Sequence, residues 1–209
     1  MLQAVGRRSF GIVAALLLLA AVPFCVYAAE ETLLLDDFEG VSEWSQSGWA
    51  DADVDPDWIV RYVPRIRPNM GLDEGERALV ATVHFKPGDY SQGVILHSRA
   101  DDWSEWKEFA VELKLNQEIE GLNVRAKLII FPDDRWTEQS SAYAVTLVPG
   151  EWVTLRVPIQ EIAEGYWSAE MTLDHFKRIK AYAIKVDASK IPEHSEPVQV
   201  VIARPRLER

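Results

Sequence analysis

The chain has 209 residues, with 22 Lys and Arg against 33 Asp and Glu, and a formal net charge of −11. So acidic a chain is a poor partner for nucleic acid or an anionic bilayer surface, because affinity for phosphates comes from clustered Lys and Arg. Its single cysteine excludes an internal disulfide framework, so the fold has to be held by an apolar core.

At the N-terminus Arg7 and Arg8 precede the apolar run 12–22 and a small-residue site at Val26-Tyr27-Ala28. This is the arrangement of a secretory signal peptide. The apolar run is about half the length needed to cross a bilayer, and no later run matches it, so stable membrane insertion is not expected. Residues 1–28 are therefore expected to be a signal peptide, and 29–209 one exported domain, free-standing, in the periplasm or outside the cell. Arg7-Arg8-Ser9-Phe10 also fits part of a twin-arginine signal, although Gly11 and the strongly apolar run favour the ordinary route. Cys25 falls inside the leader, preceded by Phe24 where a lipoprotein signal wants a small residue. Loss of Arg7 and Arg8 with the leader would move the net charge from −11 to about −13.

The first unusual segment is 49–58, WADADVDPDW, with Asp51, Asp53, Asp55 and Asp57 at every second position between two tryptophans. An EF-hand loop needs glycine at its sixth position and a bidentate glutamate at its twelfth. Counted from Asp51 these are Pro56 and Tyr62. A hydrolase pair needs two carboxylates held across a cleft, one with a raised pKa. The leading reading is an acidic surface loop, with a weak cation or hydroxyl site and catalysis as the alternatives.

Beyond it the periodicity is two. Residues 77–85, 93–98, 108–115, 123–131, 142–148, 152–157, 181–186 and 198–202 read as strands. Pro-Gly pairs at 87–88 and 149–150 and prolines at 132, 192 and 197 punctuate them. Short helical turns are expected at 159–163 and 172–177, the second with Thr172 as N-cap but no glutamate three residues on. Many strands and almost no helix give an all-β sandwich or barrel, since a parallel sheet would need crossover helices. Phe109, Val111 and Leu113 alternate with Glu108, Glu112 and Lys114, and Val124, Ala126 and Leu128 with Arg125 and Lys127, so each strand has one apolar and one charged face.

Several motifs fall in order: Leu35-Asp36-Asp37-Phe38-Glu39-Gly40 followed by Trp44; Asp102-Trp103-Ser104-Glu105-Trp106 leading into Phe109; Pro149-Gly150-Glu151-Trp152; Val157-Pro158-Ile159; and a closing strand up to Leu207. In these the chain resembles the jelly-roll carbohydrate-binding modules of the galactose-binding-like class, nearest to family 11. The resemblance implies a jelly-roll β-sandwich of two antiparallel sheets. It also implies a structural calcium at Asp37 and Glu39, although Ala203 stands where the family usually has an aspartate. The competing reading makes Asp36, Asp37 and Glu39 solvated strand-end residues. It further implies a ligand groove on the concave face of one sheet, for which Glu112, Lys114, Arg125, Lys127 and Lys185 are the polar candidates. Trp49, Trp58, Tyr62, Tyr90, Trp136 and Trp167 are the aromatic ones. Trp44, Trp103 and Trp152 belong to the fold motifs and are assigned to packing, while Tyr143 and Tyr182 alternate with small residues and their direction stays open.

Other chemistry is thin: His84, His97, His175 and His194 lack metal-ligand spacing, and there is no GxSxG or phosphate loop. The expected function is non-catalytic binding of a polysaccharide or oligosaccharide. A structural or protein-interaction sandwich, meeting for instance a cell-envelope protein, is second. A divergent glycan hydrolase or lyase is third. If Glu112, Arg125, Lys127 and Lys185 pair among themselves in a charge ladder and leave no exposed ring, sugar binding loses its physical basis.

Overall fold

The computed structural model describes residues 31–38, 43–48, 50–61, 76–117, 121–132, 135–138, 141–160 and 172–209, with the side chains of 55–61 and 141 outside the description. The leader, Glu39, Trp49, Tyr62, Trp167 and most of the helical turn expected at 159–163 thus lie outside it.

In chain order the strands are β1 (Thr32–Leu34), β2 (Trp44–Gln46), β3 (Asp53–Arg61), β4 (Arg77–His84), β5 (Gly88–Asp101), β6 (Glu108–Leu115), β7 (Asn123–Pro132), β8 (Thr137–Glu138), β9 (Val145–Thr146), β10 (Trp152–Pro158), β11 (Ile179–Ile191) and β12 (Val198–Glu208). They form two antiparallel sheets. The first runs β10-β6-β12-β4-β3, with β1 on β12; the second runs β2-β5-β11-β7-β8, with β9 on β7. This is an all-β sandwich as the alternation led one to expect, in the jelly-roll form that the resemblance implied.

The core lies between the sheets. Val111, Leu113, Val200 and Ile202 face inward from the first, and Ile95, Leu128, Ile130 and Ile184 from the second, all inaccessible to solvent. Each such side chain contributes about 1.5–3 kcal/mol. An aromatic group closes one end: Trp103 stacks on Phe109 at 5.5 Å, and Tyr182 lies 5.6 Å from Phe109 and 5.9 Å from Trp44. Trp44 and Trp103 are packing residues as expected, and Tyr182 points into the core. Trp152 is half-buried on the outer side of the first sheet, with the Lys114 ammonium 5.8 Å from its ring centre.

Two elements differ from the sequence reading. The acidic segment is not wholly a loop: from Asp53 onward it is β3, paired with β4, and the register shifts between Asp55 and Trp58, around Pro56. An edge position tolerates a proline because its missing N–H is not needed by a second neighbour. Val54 is buried in the core and Asp53 before it is exposed, so Asp53 is an outer position of the strand. Residues 142–148 do not form one strand. A 3₁₀ turn occupies Ser141–Tyr143, and pairing with β7 begins only at Val145. The turn expected near 172–177 is the 3₁₀ helix Leu173–Arg178, where His175 takes the glutamate's part: its Nδ1 accepts the Thr172 N–H at 3.1 Å.

At Gly93 the two sheets approach closely. A Cβ there would lie 2.8 Å from Val54 Cγ2 and 2.9 Å from Val83 Cγ1. Gly93→Ala should therefore cost about 1–3 kcal/mol through overpacking. Adding Val83→Ala should recover part of that loss, as read by urea unfolding of the single and double variants.

Candidate functional site

Because β7 buries Val124, Ala126, Leu128 and Ile130, its alternate residues face away from the core, and strand pairing carries the same parity across β11 and β5. The outer face of the second sheet is thus a set of rungs. The first holds Tyr90, Ser189 and Asn123; the second Gln92, Asp187 and Arg125, with Thr146 of β9. The third holds Val94, Lys185 and Lys127; the fourth Leu96, Ala183 and Ile129, with Glu138 of β8. The face is polar at the Tyr90 end and apolar beyond, where Val94, Ile129 and Ala183 pack with Ala50, Leu96 and Phe131.

Two ion-pair groups occupy the polar part. Arg125 donates from Nε and Nη2 to Asp187 Oδ1 at 3.0 and 2.7 Å. Lys127 and Lys185 face one another across the strands, an unfavourable like-charge placement. Glu138 resolves it: Lys127 Nζ donates to Oε1 at 2.9 Å, and Lys185 Nζ to Oε1 and Oε2 at 3.2 and 2.9 Å. All three of these side chains are buried. Burial alone would raise the Glu138 carboxyl, but the bonds from Lys127 and Lys185 outweigh it and hold the carboxyl below its ordinary range. The Asp187 hydrogen bond raises the Arg125 guanidinium above its ordinary value. The Tyr90 phenol is pushed up to about 12, first by burial and then by the negative charges of Asp187 and Glu138. Tyr90 stays neutral, with its hydroxyl donating to Gln92 Oε1 at 3.1 Å. Asp187 Oδ2 is buried without a hydrogen-bond partner.

The expected site residues divide. Arg125, Lys127, Lys185 and Tyr90 come together on this face. Trp136 stands two residues before Glu138, continuing the register toward Phe131. Both rings remain half exposed, Tyr90 at 47% and Trp136 at 48%. Glu112 and Lys114 do not belong here, which corrects their assignment. They lie on β6 in the first sheet, where Glu112 pairs with Arg204 at 3.2 Å and Arg206 at 3.4 Å. Alternation shows that a strand has a charged face but not which sheet the strand joins. The ladder of Glu112 against Arg125 or Lys127 is accordingly not formed, and the basic residues take Asp187 and Glu138 instead. Trp58 lies in β3 of the first sheet, with its side chain outside the described residues. Sequence reading missed Asp187, Glu138 and Gln92. Asp187 was legible as the next outer position after Lys185, whereas Glu138 sits in a two-residue strand that carries no periodic signal.

Asp37 lines a pocket of about 280 Å³ with Asp36, Glu43 and Arg99. Asp36 is already engaged: Oδ1 accepts the Phe38 N–H at 2.7 Å, and Oδ2 accepts Trp44 Nε1 at 2.5 Å and lies 3.1 Å from His97 Nε2. Burial opposes its ionisation, but the bonds from His97, Phe38 and Trp44 prevail and lower its pKa. A calcium ion wants six to eight oxygens. Among the described residues no three His, Cys, Asp or Glu side chains converge on one point, and a guanidinium shares the pocket. The described residues by themselves do not fit a calcium ion, and Glu39 lies outside them.

The two antiparallel sheets form a jelly roll whose second sheet presents a polar, ring-bearing outer face. No family model matches the sequence, and no curated protein matches it. Among solved structures the chain is similar to the family 11 carbohydrate-binding module of the cellulosomal cellulase Lic26A-Cel5E of Clostridium thermocellum, with TM-score 0.55 and 18% identity over 86% of this chain and 95% of that one. It is similar to the family 11 module from Clostridium thermocellum in complex with a β-1,3-1,4-mixed-linked tetrasaccharide, with TM-score 0.54 and 17% identity over 86% and 96%. It also matches CBM27-1 of Caldicellulosiruptor saccharolyticus in complex with mannohexaose, with TM-score 0.51 and 14% identity over 85% and 96%. The chain has the jelly-roll fold of these modules, and at such identity the likeness is one of fold.

Removing Glu138 would leave two buried ammonium groups opposed. Glu138→Ala should cost about 3–5 kcal/mol, and Lys185→Met in the same chain should recover part of it. The sign with pH follows from the lowered Glu138 carboxyl. Its contribution is present above the unfolded value of about 4.3 and is lost as pH falls through the folded value. Stability measured by urea unfolding from pH 6 downward should therefore fall more steeply in the natural chain than in the double variant.

Proposed function

We propose that the chain is a non-catalytic, exported carbohydrate-binding protein whose ligand lies on the outer face of β5, β11 and β7. The observation that carries this reading is Tyr90: a neutral, half-exposed ring beside hydrogen-bonding groups already fixed in place by Asp187, Arg125 and Gln92. Sugar recognition asks for such a pairing, an apolar ring against the pyranose and oriented polar groups for its hydroxyls. The buried, partnerless oxygen of Asp187 lies one rung along, on the neighbouring strand β11. The matched modules whose complexes contain a mixed-linked tetrasaccharide and mannohexaose support sugar binding on this fold.

Among the described carboxylates with a shifted pKa, the direction of the shifts supports a role without catalysis. Asp36, Asp102, Glu138, Asp174 and Glu208 are all displaced downward. A glycosidase general acid has to be displaced upward. The leader-like N-terminus supports export, to the periplasm or beyond. A protein-interaction role is the second reading, favoured by the saturation of Lys127 and Lys185 by Glu138, which leaves fewer donors for hydroxyls.

The test is a screen of soluble polysaccharides and a glycan array, run with calcium and with chelator, on the natural chain and on Tyr90→Ala. The expected result is binding of at least one defined glycan, weakened about tenfold or more in Tyr90→Ala at unchanged melting temperature. Loss of binding in chelator would show that a divalent cation takes part in binding. No glycan bound under either condition would reject this reading in favour of a protein partner.

A further inference from the structure

At the end of the sandwich where the chain enters its first sheet, an arginine holds the opening segment. Leu35, directly after β1, bonds in two directions: its N–H donates to the Pro205 carbonyl of β12 at 2.8 Å, and its own carbonyl accepts Arg99 Nη1. β12 belongs to the first sheet, and Arg99 to β5 of the second. One buried residue therefore ties the two sheets together through a guanidinium. Arg99 is fixed from its other side by Asp101, whose Oδ2 lies 2.6 Å from Nε. Asp36, Asp37 and Glu43 line the same pocket of about 280 Å³ as Arg99. Burial raises the neighbouring Tyr182 phenol first and Asp36 raises it further, while Arg99 lowers it, so the guanidinium and the carboxylate act on one small region.

A backbone carbonyl and several carboxylates around one positive charge are also the partners of a bound calcium ion, which draws on six to eight such oxygens. Here the oxygens are already engaged. The Leu35 carbonyl is taken by Arg99, Asp36 Oδ1 accepts the Phe38 N–H at 2.7 Å, and Asp36 Oδ2 accepts Trp44 Nε1 at 2.5 Å. Glu43 Oε2 lies 3.2 Å from His97 Nε2. Ala203, where the resemblance expects an aspartate, packs with Ala78, Val80 and Val201 on the outer side of the first sheet, so that position faces away from the interior. Among the described residues no three acidic or histidine side chains converge on one point. A guanidinium suits this place, because its planar fork of donors bonds a carbonyl and a carboxylate at once.

We infer that Arg99 takes the part of the structural calcium that the resemblance implies: its guanidinium is the built-in cation that joins the opening segment to the second sheet, and the fold holds without a metal. A cation carried on the chain stays in place whatever the calcium concentration around the protein. A bound ion would instead stabilise the fold in proportion to its supply. The inference is independent of the sugar-binding reading above.

The test is thermal melting of the full natural chain and of Arg99→Met and Arg99→Lys, each in calcium chloride at about 5 mM and in excess chelator at the same ionic strength. The natural chain is expected to melt less than about 2 °C apart in the two conditions. Arg99→Met should melt at least about 5 °C lower, because the Leu35 carbonyl and Asp101 lose their charged donor. Arg99→Lys should fall between the two, since one ammonium cannot serve both partners with the geometry of the fork. Calcium raising the natural chain by about 2 °C or more would overturn the inference, and so would an Arg99→Met variant as stable as the natural chain. If Arg99→Met does not fold, Arg99→Lys and the natural chain decide by the same criteria. None of these outcomes bears on whether Tyr90 meets a glycan, so failure here leaves the sugar reading in place.

Discussion

β11 is an interior strand, bonded along its length to β5 on one side and β7 on the other. Its inward residues Tyr182, Ile184 and Val186 lie in the core, so its outward residues Lys185 and Asp187 have only one direction to face and no sheet edge to escape toward. Charges in that position need counter-ions carried by neighbouring strands. Arg125 comes from β7 one strand away, and Glu138 comes from β8 two strands away. The composition of the candidate site follows from this constraint: its polar groups are fixed by one another before any ligand arrives.

The first sheet shows the same chemistry without that confinement. Its outer side carries Glu112 with Arg204 and Arg206, Arg206 with Glu208, and Arg156 with Glu108 and Glu208. Arg204 sits at the bulge in β12 with a left-handed backbone, φ 50°, and also bonds Glu76 at 2.8 Å. Most of these side chains reach water, where ion pairs contribute tenths of a kcal/mol and stay mobile. The difference between the two outer faces is thus one of burial and not of residue type. Preorganised groups lose little entropy on meeting a ligand, which favours the second sheet as the binding face.

The aromatic end of the sandwich ties the opening segment to the rest. Asp36 holds Trp44 and the Phe38 amide, and Trp44 lies 4.6 Å from the buried His97 ring. The motif that carries the resemblance to carbohydrate-binding modules is therefore a packing device, joining the strand that opens the fold to β5. This explains why it reports on fold more strongly than on ligand.

From the sequence alone the all-β class and seven of the strands, β4 to β7 and β10 to β12, were legible, together with the apolar side of β6 and β7, because burial on one face imposes a period of two. Arg125, Lys127, Lys185 and Tyr90 could also be picked out as outward positions. What the sequence could not decide was partnership. Glu112 reads like Arg125 along the chain, yet it lies in the other sheet, and Glu138 joins the site through a strand too short to leave a pattern. The alternating aspartates read as a loop from the sequence, and β4 decided otherwise by pairing with Asp53 and Asp55. Strand periodicity is a local property set by neighbours in sequence. Which strands meet, and hence which charges share a face, is set by long-range pairing and by the need to satisfy buried charge, and that exists only in the folded sandwich.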